Sequence, residues 1–149
     1  MANLTITQLP NAQPLGGTES VPVVQNGQTV QTTTGAIAGS YKTQLAPIDF
    51  TADAVLTATQ MKNGLITVTS SNPVSLTLPL GITADAELYN MTVNKSFVWY
   101  VINLGSQSVL MINNTDHDFI GNNTILVSTS AGFMTVKTAT DVFVTYRIS

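Results

Sequence analysis

Residues 74–78 read Val-Ser-Leu-Thr-Leu, and residues 142–148 read Val-Phe-Val-Thr-Tyr-Arg-Ile. In the first stretch Val74, Leu76 and Leu78 alternate with Ser75 and Thr77; in the second Val142, Val144, Tyr146 and Ile148 share one parity. A period of two is that of a strand with one apolar face. Working outward, similar short runs set apart by turn residues predict further strands over 48–51, 65–69, 96–103, 107–113, 124–128 and 132–138. Many short strands between turn signals predict an all-β fold, with a β-sandwich or jelly-roll-like domain over residues 47–149. Two short helices interrupt it. Thr57-Ala58-Thr59-Gln60 fits a capping box with Asn63-Gly64 as its stop, and Thr83 to Asn90 is the second helix.

Two runs break the alternation: Phe97-Val98-Trp99-Tyr100-Val101-Ile102 and Val109-Leu110-Met111-Ile112 are apolar on both faces. A sandwich strand should show one polar face unless something covers it. Three covers are open on the sequence: the N-terminal segment, a neighbouring subunit, or the two helices.

Residues 1–46 have a different character, with Pro10, Pro14, Pro22 and a single charged group, Glu19, before Lys42. They predict an extended arm. Within it, Val21-Pro22-Val23-Val24-Gln25 and Gln28-Thr29-Val30-Gln31-Thr32 flank Asn26-Gly27, the dipeptide that favours a two-residue type I′ hairpin turn. An isolated hairpin is marginal in water, so this one is expected to lie against another surface. Leu15, Val21, Val23, Val24 and Val30 are the candidate partner-binding side chains, and the hairpin backbone is available for strand addition. Gly35 to Tyr41 reads as one short helical turn before Pro47 restarts an extended chain.

The length of 149 residues suits one domain plus an arm. Only 9% of residues are charged, against roughly 25% in an average soluble domain. Thr, Asn, Ser and Gln take their place, so the surface is polar yet nearly uncharged and is desolvated at low cost when it docks. A net charge of -3, with Lys42, Lys62, Lys95, Lys137 and Arg147 scattered, argues against nucleic-acid binding. The longest apolar run, Phe97 to Ile102, falls far short of the roughly 20 residues that span a bilayer, so no membrane segment is expected. The first residues, Met1-Ala2-Asn3-Leu4-Thr5, lack the basic and apolar regions of a cleaved secretory signal. With no Cys, disulfides and thiolate metal sites are excluded.

Residues able to carry chemistry are few. Asp116-His117-Asp118 is the one cluster resembling a metal or acid-base site, with Asn113 and Asn114 nearby. In an extended chain His117 would face away from both carboxylates, so the cluster is expected to be a solvated loop and to hold no metal. His117 is the sole imidazole, and no Gly-x-Ser-x-Gly elbow surrounds Ser130. Glu19 and Glu87 are the only glutamates, and Asp49 with Asp53 read as caps or loop residues rather than a glycosidase pair. No enzyme activity and no cofactor are expected. Trp99 and Tyr41, Tyr89, Tyr100 and Tyr146 read as core or subunit-interface packing rather than a sugar-stacking platform.

Leu9-Pro10, Leu15-Gly16-Gly17-Thr18-Glu19, Val21 to Gly27 and Thr29 to Thr33 resemble an N-terminal segment of tail-fibre and other virion proteins of tailed phages. The remainder, through Leu56-Thr57, Gly64-Leu65-Ile66, Leu76-Thr77-Leu78-Pro79, Phe97, Val101-Ile102-Asn103, Ile120-Gly121-Asn122, Gly132-Phe133 and Val144 to Ile148, resembles small β-rich phage decoration, head-fibre and virion proteins. The resemblance implies a capsid decoration or cement protein, made in the host bacterial cytoplasm. It would form a homotrimer on the outer surface of the head and bind the major capsid protein lattice. No catalytic residues come with it. The alternative is a tail appendage or fibre-adaptor subunit with receptor or glycan binding at its loop tips.

Overall fold

The computed structural model describes Thr18, residues 20–34 and residues 44–149. The chain divides into two compact units, Met1–Thr43 and Gln44–Ser149. In the first, β1 (Ser20–Gln25) pairs antiparallel with β2 (Gln28–Thr33), Val23 opposite Val30. Asn26 and Gly27 join them at φ 52° and 76°, the left-handed pair that a type I′ turn requires. The helical turn read over 35–41 lies outside the described residues.

The second unit is mainly β. Its strands are β3 (Ile48–Phe50), β4 (Ala54–Val55), β5 (Leu65–Val68), β6 (Val74–Thr77), β7 (Ser96–Asn103), β8 (Val109–Ile112), β9 (His117–Ile120), β10 (Thr124–Ile125), β11 (Ser130–Ala139) and β12 (Val142–Arg147). Two helices, α1 (Ala58–Asn63) and α2 (Gly81–Glu87), lie between β4 and β5 and between β6 and β7. A six-stranded sheet runs β3-β5-β7-β11-β12-β9 and a four-stranded sheet runs β10-β8-β6-β4.

From β3 to β11 the chain changes sheet at every step. The units β3-β4, β5-β6 and β7-β8 are therefore arches rather than hairpins, each with one leg per sheet. Stacking them makes β3, β5 and β7 parallel neighbours, and likewise β4, β6 and β8. Parallel neighbours need a crossover between them, and α1 and α2 supply it for the second and third arches. The arch corners stack backbone on backbone: Thr69 N–H donates to Phe50 O at 3.0 Å, Leu104 N–H to Val68 O at 2.8 Å, and Ser106 N–H to Ser70 O at 2.9 Å. An ideal Cβ on Gly105 would lie 2.4 Å from the Ser70 carbonyl oxygen, so the corner requires a residue without one. Gly105→Ala is expected to cost roughly 1–3 kcal/mol by overpacking, read as a lower urea midpoint.

Local chemistry fixes α1. Gln60 N–H donates to Thr57 Oγ1 at 3.1 Å, Thr57 N–H donates to Gln60 Oε1 at 2.9 Å, and Gly64 closes the helix at φ 100°. The second helix begins at Gly81 rather than at 83, with no side-chain cap; Gly81 N–H instead donates to Thr115 O at 2.9 Å. Tertiary contact sets its start. The strand expected over 124–128 ends at Ile125, because Ser128 turns the chain at φ 57°.

One apolar cluster draws on both sheets, with Ile66, Val68, Trp99, Val101 and Phe133 from the larger and Val74, Leu76, Val109, Met111 and Ile125 from the smaller. The Trp99 and Phe133 rings lie 4.7 Å apart. A second cluster joins Ala58 of α1, Ala84 of α2 and Phe143 of β12, with Phe97 against it. The helices thus pack on the same side of the six-stranded sheet as the smaller sheet does. The alternation along β12 therefore has the opposite phase from its apolar pattern. Phe143 and Thr145 are buried, whereas Val142, Val144 and Tyr146 lie on the other face. Thr145 can be inside because its hydroxyl is hydrogen-bonded there.

Candidate functional site

Asp116-His117-Asp118 is not a solvated loop. His117 opens β9 and is fully buried, while Asp116 and Asp118 are exposed on either side of it. Its Nδ1 lies 3.1 Å from Pro79 O and its Nε2 lies 2.9 Å from Thr145 Oγ1. A carbonyl only accepts, so Nδ1 carries the proton and Nε2 accepts from the Thr145 hydroxyl. That direction propagates: Thr145 Oγ1 accepts from Thr135 at 2.7 Å, and Thr135 Oγ1 accepts from Trp99 Nε1–H at 2.9 Å. Every polar atom of the buried chain is used, and its arrangement requires a neutral imidazole.

Burial lowers the His117 pKa to about 4, partly offset by its bond to Pro79 and by the Asp118 charge. The unfolded chain, with an ordinary value of 6.5, takes up a proton that the folded chain refuses between those two pH values. The contribution of His117 to stability is therefore expected to be full above pH 6.5, to fall as pH drops toward 4, and to level off below it. The loss is about 3 kcal/mol at most. Urea melts at pH 7.5 and 4.5 check this, and His117→Gln should flatten the difference.

The other acidic candidates also have structural partners. Asp49 accepts from the Thr67 and Thr69 hydroxyls at 2.8 and 3.0 Å, Asp53 accepts from Ser75 N–H at 2.7 Å, and Glu87 accepts from Thr59 N–H at 2.9 Å. Asp85 pairs with the largely buried Lys137 and accepts from Asp141 N–H at 2.9 Å. The lysine hydrogen bond leads in holding its carboxyl below the usual range. Among the described residues no group of three or more His, Cys, Asp and Glu could hold a metal ion. Among them, too, no helix is long and apolar enough to cross a membrane.

Of the candidate partner-binding side chains, Val21, Val23 and Val30 share one face of the β1-β2 pair. Val24 lies on the opposite face and is exposed. Leu15 lies outside the described residues, as do Glu19, Tyr41 and Lys42. Among the described residues the aromatic candidates do not form one platform: Trp99 is buried, and Tyr100 points to the opposite face of β7. Tyr89, in the segment after α2, is 81% exposed beside a cleft of about 400 Å³ lined by Leu88, Met91, Lys95 and Phe97.

The distinctive surface is the outer face of the six-stranded sheet, which sequence reading marked only through the doubly apolar run in β7. Register aligns its side chains in rows. Leu65, Tyr100 and Gly132 form one, and Val98, Met134, Tyr146 and Ile120 the next. Val136 beside Val144 extends the apolar surface below them, and Ile102 beside Thr67 extends it above. Val98 is 41% exposed, Tyr100 47% and Ile120 51%. Neither helix covers them, since α1 and α2 pack with Phe143 on the inner side. The second doubly apolar run behaves alike on a smaller scale: Val109 and Met111 are buried, and Leu110 and Ile112 are exposed.

No family model, no curated protein and no solved structure matches this chain.

Proposed function

We propose that this chain is a non-enzymatic structural protein of a tailed-phage virion, a capsid decoration or cement subunit on the outer surface of the head. The observation that carries the reading is the row-aligned apolar face of the six-stranded sheet. Contiguous exposed apolar area of this kind marks interaction surfaces. Low charge across the chain and the resemblance of its landmark residues to phage virion proteins support the same reading. In it, residues 47–149 form a sandwich built from stacked arches, and residues 1–46 form an arm whose hairpin docks on partner subunits. The partners are the major capsid protein lattice and further copies of the chain, as a homotrimer. A protein that binds only the assembled shell stabilises it by mass action. Counting labelled copies in intact virions tests this: decoration requires many copies distributed over the head. A signal confined to the tail would sink it.

Deleting residues 1–46 is expected to leave the circular dichroism of a folded β-domain and to abolish binding to undecorated shells. Near-normal occupancy by the truncated protein would move the attachment role to residues 47–149.

One observation favours a second reading, a tail appendage that binds a glycan. Tyr89 stands exposed at the cleft of about 400 Å³ whose rim also carries Asn90 and Thr92, and an exposed aromatic ring beside polar groups suits sugar stacking. Glycan binding that disappears in Tyr89→Ala would support it.

A further inference from the structure

We infer that the outer face of the six-stranded sheet is the surface through which copies of this chain bind one another, leaving the arm free for the lattice. The inference deepens the structural-protein reading and rests on it for its biological purpose. Three observations select a second copy as the occupant.

The first is charge. Across the described rows of the face no lysine or arginine is present; the carboxylates, Asp49 and Asp118, sit on β3 and β9, the two edge strands. Lys137 and Arg147 belong to the other face of their strands. Lys137 pairs there with Asp85, and Arg147 donates to the carbonyls of Asn122 and Thr124 at 3.1 and 2.6 Å. A neutral apolar centre has nothing to pair with a charged partner, and it meets an identical neutral centre with few ions to strip of water.

The second is area. Six strands of three to ten residues, at ~3.3 Å per residue and ~4.8 Å between strands, make a face of roughly 550 Å² before side-chain relief is added. With that relief it approaches the ~800 Å² per partner that a stable interface buries. The exposed apolar face of the four-stranded sheet, around Val55, Leu110 and Ile112, is built on shorter strands and is interrupted by Ser75 and Thr77.

The third is shape. The Ser149 side chain and the Tyr100 ring both lie over Gly132, where an ideal Cβ would sit 2.6 Å from Ser149 Oγ and 3.1 Å from a Tyr100 ring carbon. The ring therefore lies low at the middle of the sheet instead of standing up from it. This leaves a level surface of Tyr100, Val98, Met134 and Tyr146 on which the same face of other copies can pack, two of them face to face or three about a common axis.

The test is sedimentation of the full-length protein from about 1 to 100 μM, comparing wild type with V98E/Y100E and with a control, V55E/L110E, on the outer face of the other sheet. All four positions are solvent-exposed; circular dichroism and a thermal melt establish that each variant is folded. The expected result is a wild-type oligomer, a V98E/Y100E protein that is monomeric or dissociates at least about tenfold more readily, and a control like wild type. Either a dimer or a trimer that depends on this face supports the inference. A monomeric wild type at the highest concentration overturns it, as does a folded V98E/Y100E that self-associates like wild type. Binding of each protein to undecorated shells is scored separately. A wild type that self-associates through this face yet never binds shells removes the virion reading and leaves the self-contact standing; the converse removes only the self-contact.

Discussion

Gly81→Ala is expected to destabilise the 44–149 unit by about 3 kcal/mol or more, lowering its melting temperature by on the order of 10–20 °C. Three pieces of backbone meet at this glycine. An ideal Cβ would sit 1.9 Å from the Asp141 carbonyl oxygen and 2.7 Å from that of Asp116. Neither obstacle can swing away like a flexible side chain. Asp116 and Asp141 both sit in turns at positive φ, 57° and 58°. Asp141 N–H is held by Asp85, and Gly81 N–H is itself bonded to Thr115 O. Relief would thus mean moving the start of α2 away from two turns that hold it. Gly27→Ala is the informative contrast: nothing lies within 4 Å of its ideal Cβ, but its φ of 76° strains any other residue, for a cost of about 1 kcal/mol. A Gly81→Ala protein that melted within a few degrees of wild type would mean that the three segments do not meet this closely.

The second large effect is expected at Trp99. Trp99→Ala should cost about 3–5 kcal/mol, because the side chain is fully buried and stacks on Phe133. It also supplies the donor at the head of the hydrogen-bonded chain through Thr135 and Thr145 to His117. Two further variants separate packing from polarity. Trp99→Phe keeps an aromatic ring but removes the N–H, leaving the Thr135 oxygen short of a donor. Thr135→Val removes the relay in the middle: it orphans the Trp99 N–H and takes away the donor to the Thr145 oxygen, whose own O–H still donates to His117, at about 1–3 kcal/mol for a buried orphan. The double variant Trp99→Phe/Thr135→Val should be less damaging than the sum, since one missing partner makes the other dispensable. Equilibrium unfolding in urea measures all four; strict additivity would mean that the two groups do not share a bond.

Several features of this protein could be read from its residues because they are decided within a few positions of chain. The capping box at Thr57 and Gln60 and the glycine stop at Gly64 are local contests for backbone hydrogen bonds, and the helix they delimit is where they place it. Strands at 65–68, 74–77, 96–103 and 142–147 follow runs of β-branched and aromatic residues. The candidate surface was half legible. The doubly apolar run from Phe97 to Ile102 showed that both faces of β7 are apolar, but not which of them the fold would leave exposed.

What lay beyond the sequence was decided by groups far apart in it. Nothing in residues 116–118 marks His117 as buried; its partners are Pro79 and Thr145, 38 and 28 positions away. The same distant bond turns Thr145 inward and sends Val144 and Tyr146 outward, reversing the phase that the apolar alternation of β12 suggests. Arches instead of hairpins, and parallel neighbours instead of antiparallel ones, likewise depend on which sheet receives each successive strand. A period of two establishes that a strand has two unlike faces. Which of them points inward is settled by which side finds partners for its polar atoms, and only the folded chain supplies those partners.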